Sequence, residues 1–114
     1  MMNCIFCKII SGEIPSRKVY EDETVYAFYD IQPMAPVHVL IVPKIHIASV
    51  NEVTSENSAV IGHIYEVAAL LAKELGVAES GYRVVSNCGA DAGQTVFHLH
   101  FHLLGGQPLK TEMC

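Results

Sequence analysis

The chain has 114 residues, 51 % of them hydrophobic, and a formal net charge of −5. That length suits one domain, residues 1–114, with a single core that needs no staples. The acidic balance argues against general nucleic-acid binding, which needs a basic surface, but leaves room for a single nucleotide held by local donors.

No apolar run is long enough to span a membrane, and no signal peptide is visible. The expected setting is therefore cytoplasmic and reducing, with no membrane partner, and disulfides are not expected among the four cysteines. Cys88 and Cys114 are read as free thiols. No repeat, low-complexity tract or domain linker interrupts the chain.

In chain order, Cys4-Ile5-Phe6-Cys7 comes first. A lone Cys-x-x-Cys is half of a metal site, a redox pair or chance, and the residues alone leave all three open. The spacing of Ile5, Phe6, Ile9 and Ile10 predicts a short helix to Ser11, closed by Gly12. Residues 17–21 and 24–29 read as strands joined by Asp22-Glu23. The second is apolar on both faces, which fits the inside of a sheet or the wall of a pocket. Asp30 is either a turn residue or an acceptor for ribose hydroxyls.

Pro33 and Pro36 bracket a turn, and residues 37–43 form a buried strand in which His38 is the polar exception. His46 falls in a connecting segment, where a surface role is the default. Residues 54–75 carry Val60, Ile61, Ile64, Val67, Ala68, Leu71 and Leu75 at steps of three and four, a helix capped by Thr54 or Ser55 and ended by Gly76. His63 and Tyr65 fall on its outer side. Residues 82–86 form another strand. The loop after it contains Asn87, Gly89, Gly93, Gln94 and Thr95 and is either an anion cradle or a plain connection.

The most informative stretch is His98-Leu99-His100-Phe101-His102-Leu103-Leu104. In a strand the three histidines share one face and Leu99, Phe101 and Leu103 the other. Same-face neighbours lie ~6.6 Å apart and the outer pair ~13 Å, so one ion with bonds of ~2.0–2.1 Å could hardly gather all three. The row instead suggests divided roles along an extended ligand. A neutral imidazole near pH 7 is a competent nucleophile toward a phosphorus centre whose oxygens repel anions.

This stretch resembles the His-x-His-x-His-x-x signature of the histidine triad (HIT) superfamily. Residues 5–10, 28–31, 38–44 and 93–95 are similar to its histidine-triad nucleotide-binding (Hint) branch, and the match runs over nearly the whole chain. The resemblance implies an α+β fold: a curved antiparallel sheet of about five strands, one short N-terminal helix and one long helix, usually as a homodimer. It implies a purine nucleotide-binding phosphoramidase that hydrolyses the P–N bond of adenosine phosphoramidates through a nucleotidyl-histidine. Hydrolysis of dinucleoside polyphosphates and a non-catalytic nucleotide-binding adaptor are the alternatives.

By the same resemblance His100 is the nucleophile, His102 and His38 contact phosphate, and Thr95 relays a proton. Phe6, Ile9, Phe28, Asp30, Ile31 and Leu40 hold base and ribose, and Asn87, Gly93, Gln94 and Thr95 meet the phosphate and leaving group. Members of the bacterial type with Cys-x-x-Cys bind a structural zinc, which here implies Cys4, Cys7, His46 and His98, with no catalytic metal or organic cofactor. The tail Gln107–Cys114 lacks the aromatic residues of the eukaryotic members. Modest discrimination among amine leaving groups is therefore expected.

Overall fold

β-Branched and aromatic runs pair into one antiparallel sheet, described over residues 3–113 in the computed structural model. Its strands are β1 (Lys18–Glu21), β2 (Val25–Tyr29), β3 (Val37–Pro43), β4 (Tyr82–Val85) and β5 (Phe101–Gly105), in the order β1-β2-β3-β5-β4. Two helices, α1 (Ile5–Ser11) and α2 (Ser58–Glu74), complete the α+β fold.

The alternation of side chains gives each helix its own face of the sheet. Val25, Ala27, Val39, Ile41, Phe101 and Leu103 are buried with Ile64, Val67 and Leu71 of α2. Tyr26, Phe28, Leu40 and Val42 point the other way and pack on Phe6 and Ile9 of α1. This is why β2 and β3 are apolar on both faces. Burying a side chain such as Phe6 or Ile9 stabilises the fold by about 1.5–3 kcal/mol.

The ends of α1 match the sequence. Cys4 occupies the cap position, its Sγ accepting from the Cys7 N–H at 3.4 Å, and Gly12 closes the helix at φ 88°. The start of α2 does not match: the helix begins at Ser58 rather than at 54. Side chains hold the preceding turn instead. The Thr54 N–H donates to Asn57 Oδ1 at 2.7 Å, and Asn57 Nδ2 donates to the Glu52 carbonyl. Such side-chain bonds compete with helix for the same backbone groups.

His63 is half-buried rather than simply outward. It lies 2.6 Å from Asp22 Oδ2 and 2.9 Å from Glu66 Oε1, tying α2 to the β1–β2 turn.

The histidine strand also begins later than its alternation suggests. The ladder with β3 ends at Ile41↔Phe101, so residues 98–100 precede β5. Further on, Pro43 has no N–H to donate, and its carbonyl accepts from His98 Nε2 instead. The alternation itself persists: Leu99 is buried in the α2-side core with Phe101 and Leu103. Beyond β5, Gly106 at φ 95° passes so close to Pro36 that a Cβ would lie 2.9 Å from it, which fixes the exit of the tail.

Candidate functional site

Two groups of side chains meet at residues 98–102. In the first, the fully buried His98 donates from Nε2 to the Pro43 carbonyl at 2.8 Å. A carbonyl only accepts, so Nε2 carries the proton and Nδ1 presents a lone pair. That Nδ1 lies 3.3 Å from Cys4 Sγ and 3.5 Å from Cys7 Sγ, and His46 Nδ1 lies 3.5 Å from Cys7 Sγ.

All four donor atoms are within 4.8 Å of one another. Ligands at ~2.0–2.3 Å around a tetrahedral ion lie ~3.3–3.8 Å apart, so these residues could hold a metal. Burial and the neighbouring Cys4 thiol raise the Cys7 pKa, and burial keeps His98 neutral. A cation would reverse the preference of the thiols.

In the second group, His100 Nδ1 lies 2.8 Å from the His98 carbonyl. Nδ1 must carry the proton, which leaves the Nε2 lone pair bare. The ring stands edge-on to Phe6, centroids 5.0 Å apart. Ser86 Oγ donates to the His100 carbonyl at 3.0 Å and fixes its backbone.

The Met34 N–H donates to His38 Nδ1 at 3.0 Å. His38 Nε2 therefore carries the proton that bridges to His102 Nδ1 at 2.9 Å. His102 is thereby fixed with its proton on Nε2. Burial, with the neighbouring His100 and His38, lowers the His102 pKa to about 4. Burial also lowers that of His38, despite Asp30 Oδ2 at 3.5 Å. These hydrogen bonds direct the Nε2 lone pair of a neutral His100, and the Nε2–H of His102, to the open side of the row. Asp30, His38 and His102 also bring one ligand atom each within 4.8 Å, but hydrogen bonding accounts for the His38–His102 separation.

A cavity of about 240 Å³ opens beside these rings. Its lining includes the buried apolar Phe6, Ile9, Phe28 and Leu40 together with Asp30, Ile31, Thr95, His100 and His102. Ile5 and Val96 also line it, and sequence reasoning missed both. Val96 sits between Thr95 and the first histidine, which could have drawn notice; Ser86 carried no such signal.

Asn87 and Gly93 lie on the β4–β5 connection but do not line the cavity. Gln94 is buried, and its amide is committed to the loop. Oε1 accepts from the Gly89 N–H, and Nε2 donates to the Ala48 and Val96 carbonyls. A larger open depression of about 610 Å³ beside β1 is lined by Lys18, Glu21, Asp22 and Lys44 and holds neither histidine nor cysteine. Chemistry, not volume, singles out the smaller cavity.

The chain is similar to known proteins over most of its length. The chain is 51 % identical over 105 residues to the purine nucleoside phosphoramidase of Escherichia coli K12, covering 92 % of this chain and 88 % of that one. It is 42 % identical over 110 residues to an uncharacterized HIT-like protein of Buchnera aphidicola, covering 96 % and 98 %. A HIT family hydrolase from Clostridium thermocellum superposes with a TM-score of 0.97 at 54 % identity, covering 100 % of this chain and 99 % of that one. One from Legionella pneumophila superposes at 0.93 and 48 % identity, covering 95 % and 96 %. The HIT domain family model matches residues 11–109, and with it the chain belongs to the HIT domain family.

Proposed function

We propose that this chain is a purine nucleoside phosphoramidase, hydrolysing the P–N bond of adenosine phosphoramidates to AMP and amine. The observation that carries the reading is the proton pattern of the histidine row. The His98 carbonyl leaves His100 Nε2 bare, and the Met34–His38 chain leaves His102 a donor. The 51 % identity to a purine nucleoside phosphoramidase supports the same class.

In this reading the base lies between Phe6, Ile9, Phe28, Leu40 and Ile31, and Asp30 accepts from the ribose hydroxyls. His100 Nε2 attacks the α-phosphorus in line, forming an N–P bond. The P–N bond to the amine breaks with its electron pair on nitrogen, and the Thr95 hydroxyl relays a solvent proton to it. His102 Nε2–H, backed by His38, stabilises the charge gathering on the phosphoryl oxygens. Water then displaces His100, releasing AMP and returning a proton to solvent. Asn87, Gly93 and Gln94 act by shaping the loop that carries Thr95.

Cys4, Cys7, His46 and His98 would hold a structural zinc, anchoring α1 beside the nucleophile. One domain spans the chain. Among the described residues β4 pairs with β5 alone, and its other edge suits strand pairing with a second copy. The thiol ligands suit a reducing cytoplasm.

The test is incubation with an adenosine phosphoramidate and, separately, a diadenosine polyphosphate, followed by mass spectrometry of the alkali-quenched protein. Preferred cleavage of the phosphoramidate, with a nucleotidyl group on His100, is expected. His100→Ala should lower turnover by ~10³-fold, about 4 kcal/mol of barrier. Preferred cleavage of the polyphosphate, or AMP binding without turnover, would overturn the proposal in favour of the alternatives.

A further inference from the structure

The thiol cluster joins parts of the chain that are far apart in sequence. Cys4 caps α1 and Cys7 lies in its first turn, His46 follows β3, and His98 precedes β5. An ion held by all four would tie α1 to both of the other segments. A bond between the two sulfurs would tie α1 only to itself.

That second bond is within reach. Both sulfurs face one nitrogen, His98 Nδ1, at 3.3 and 3.5 Å. They lie within 4.8 Å of each other. Residues three apart on a helical turn have Cα atoms ~5 Å apart, inside the ~4.4–6.8 Å that a disulfide spans. Rotation of the two side chains can close the pair. Cys88 is also a free thiol, but it is not among these donors.

The pair is open to small molecules. His98 is fully buried, whereas Cys4, Cys7 and His46 are only half-buried. A cavity of about 350 Å³ opens against Cys4 and His46, with Ile5, Thr95, Val96 and Phe97 among its walls.

We propose that Cys4 and Cys7 are a reversible oxidation site, at which a peroxide converts two metal-holding thiolates into a disulfide and frees α1 from His46 and His98. The inference goes beyond the phosphoramidase reading and rests only on the zinc proposed for this cluster. One thiolate attacks a peroxide oxygen, the O–O bond breaks, and hydroxide leaves a sulfenic acid behind. The second thiolate attacks that sulfur, an S–S bond forms, and a second hydroxide leaves. The sulfur pair gives up two electrons, and the peroxide takes them up with two solvent protons to become two waters. In a reducing compartment such bonds are transient and serve sensing.

The thiolate is the form that ligates metal, so the oxidised pair no longer holds the ion. His98 stays in place, because its Nε2 donates to the Pro43 carbonyl at 2.8 Å. What loosens is α1, and with it Phe6, whose ring centroid is 5.0 Å from that of His100 and 5.6 Å from that of Phe28. Oxidation therefore weakens the nucleotide cavity through its wall rather than through its histidines.

The test treats zinc-loaded protein, wild type and Cys88→Ser/Cys114→Ser, with hydrogen peroxide. Released zinc is read with a colorimetric chelator, the thiols by alkylation and peptide mass, and AMP affinity by calorimetry. Both proteins should release their zinc as the peptide carrying Cys4 and Cys7 becomes lighter by two hydrogens. The AMP Kd should rise at least about 5-fold. Dithiothreitol with added zinc should restore both. Zinc retained after oxidation, sulfinic acid in place of the disulfide, or an AMP affinity that zinc release leaves unchanged would each overturn the switch alone. A wild type that binds no zinc before oxidation would remove the zinc reading and the switch together.

Discussion

His38→Ala tests the hydrogen-bond chain behind the phosphoryl site. The substitution deletes two contacts, the Met34 N–H to Nδ1 at 3.0 Å and Nε2 to His102 at 2.9 Å. Met34 is exposed, so its N–H can turn to water. His102 Nδ1 is sheltered, and leaving it unpaired should cost ~1–3 kcal/mol of stability. The catalytic loss has a different origin. With no donor at Nδ1, the ring is free to place its proton on either nitrogen and to rotate.

Removing a donor to a developing oxyanion outright costs ~10²–10³ in kcat. Loosening one should cost less, ~10–10²-fold, so the losses should rank His100→Ala, then His102→Ala, then His38→Ala. The effect should fall on kcat rather than KM, since the donor matters most as charge develops. The assay is steady-state hydrolysis of an adenosine phosphoramidate, with a thermal melt to register the structural cost. A His38→Ala protein with kcat within about 2-fold of wild type would refute the chain of protons described here.

Elemental analysis of protein purified without added metal should find one zinc per chain. Cys7→Ala should abolish it and lower the melting temperature by at least ~5 °C, since ion binding is linked to folding; metal-free protein with an unchanged melt would count against the site. His63 gives a pH signature. Asp22 first, then Glu66, raises its pKa above 6.5, so its contribution is complete below that value and fades as pH rises through the raised one. The His63 hydrogen bond, outweighing an opposing burial effect, lowers the Asp22 pKa from 3.8, so that contribution fails only in strong acid. Between pH 6 and 9 the wild type should lose ~0.5 kcal/mol, discounted for exposure, that His63→Gln does not lose. Parallel denaturation curves for the two proteins across that range would show the pair to be idle.

Residues with strict periodicity are legible in the sequence itself. Leu99, Phe101 and Leu103 declare a buried face by alternation, and Ile64, Val67 and Leu71 declare another by helical spacing. Gly12 and Gly76 mark helix ends because left-handed backbone there favours glycine. Element starts were harder, because side chains far from the pattern decide them. Asn57 holds Thr54 out of α2, and Pro43 stops the β3–β5 ladder short of His98. The gathering of Cys4, Cys7, His46 and His98 came from family resemblance, since nothing local links residue 4 to residue 98. The engagement of Gln94 depends on loop path, which no local pattern carries.

Helix α1 has only seven residues, about two turns. Isolated helices of that length do not persist in water, where nucleation outweighs the few hydrogen bonds gained. Its order is borrowed from both ends of its contacts: the thiol cluster beginning at Cys4, and the cavity floor at Phe6 and Ile9. A ligand in the cavity and an ion among the thiols therefore steady the same element. We expect each to tighten the other, and by linkage by the same factor. A nucleotide titration repeated with and without added zinc should show that coupling as a shift in nucleotide affinity; an affinity that zinc leaves unchanged would refute it.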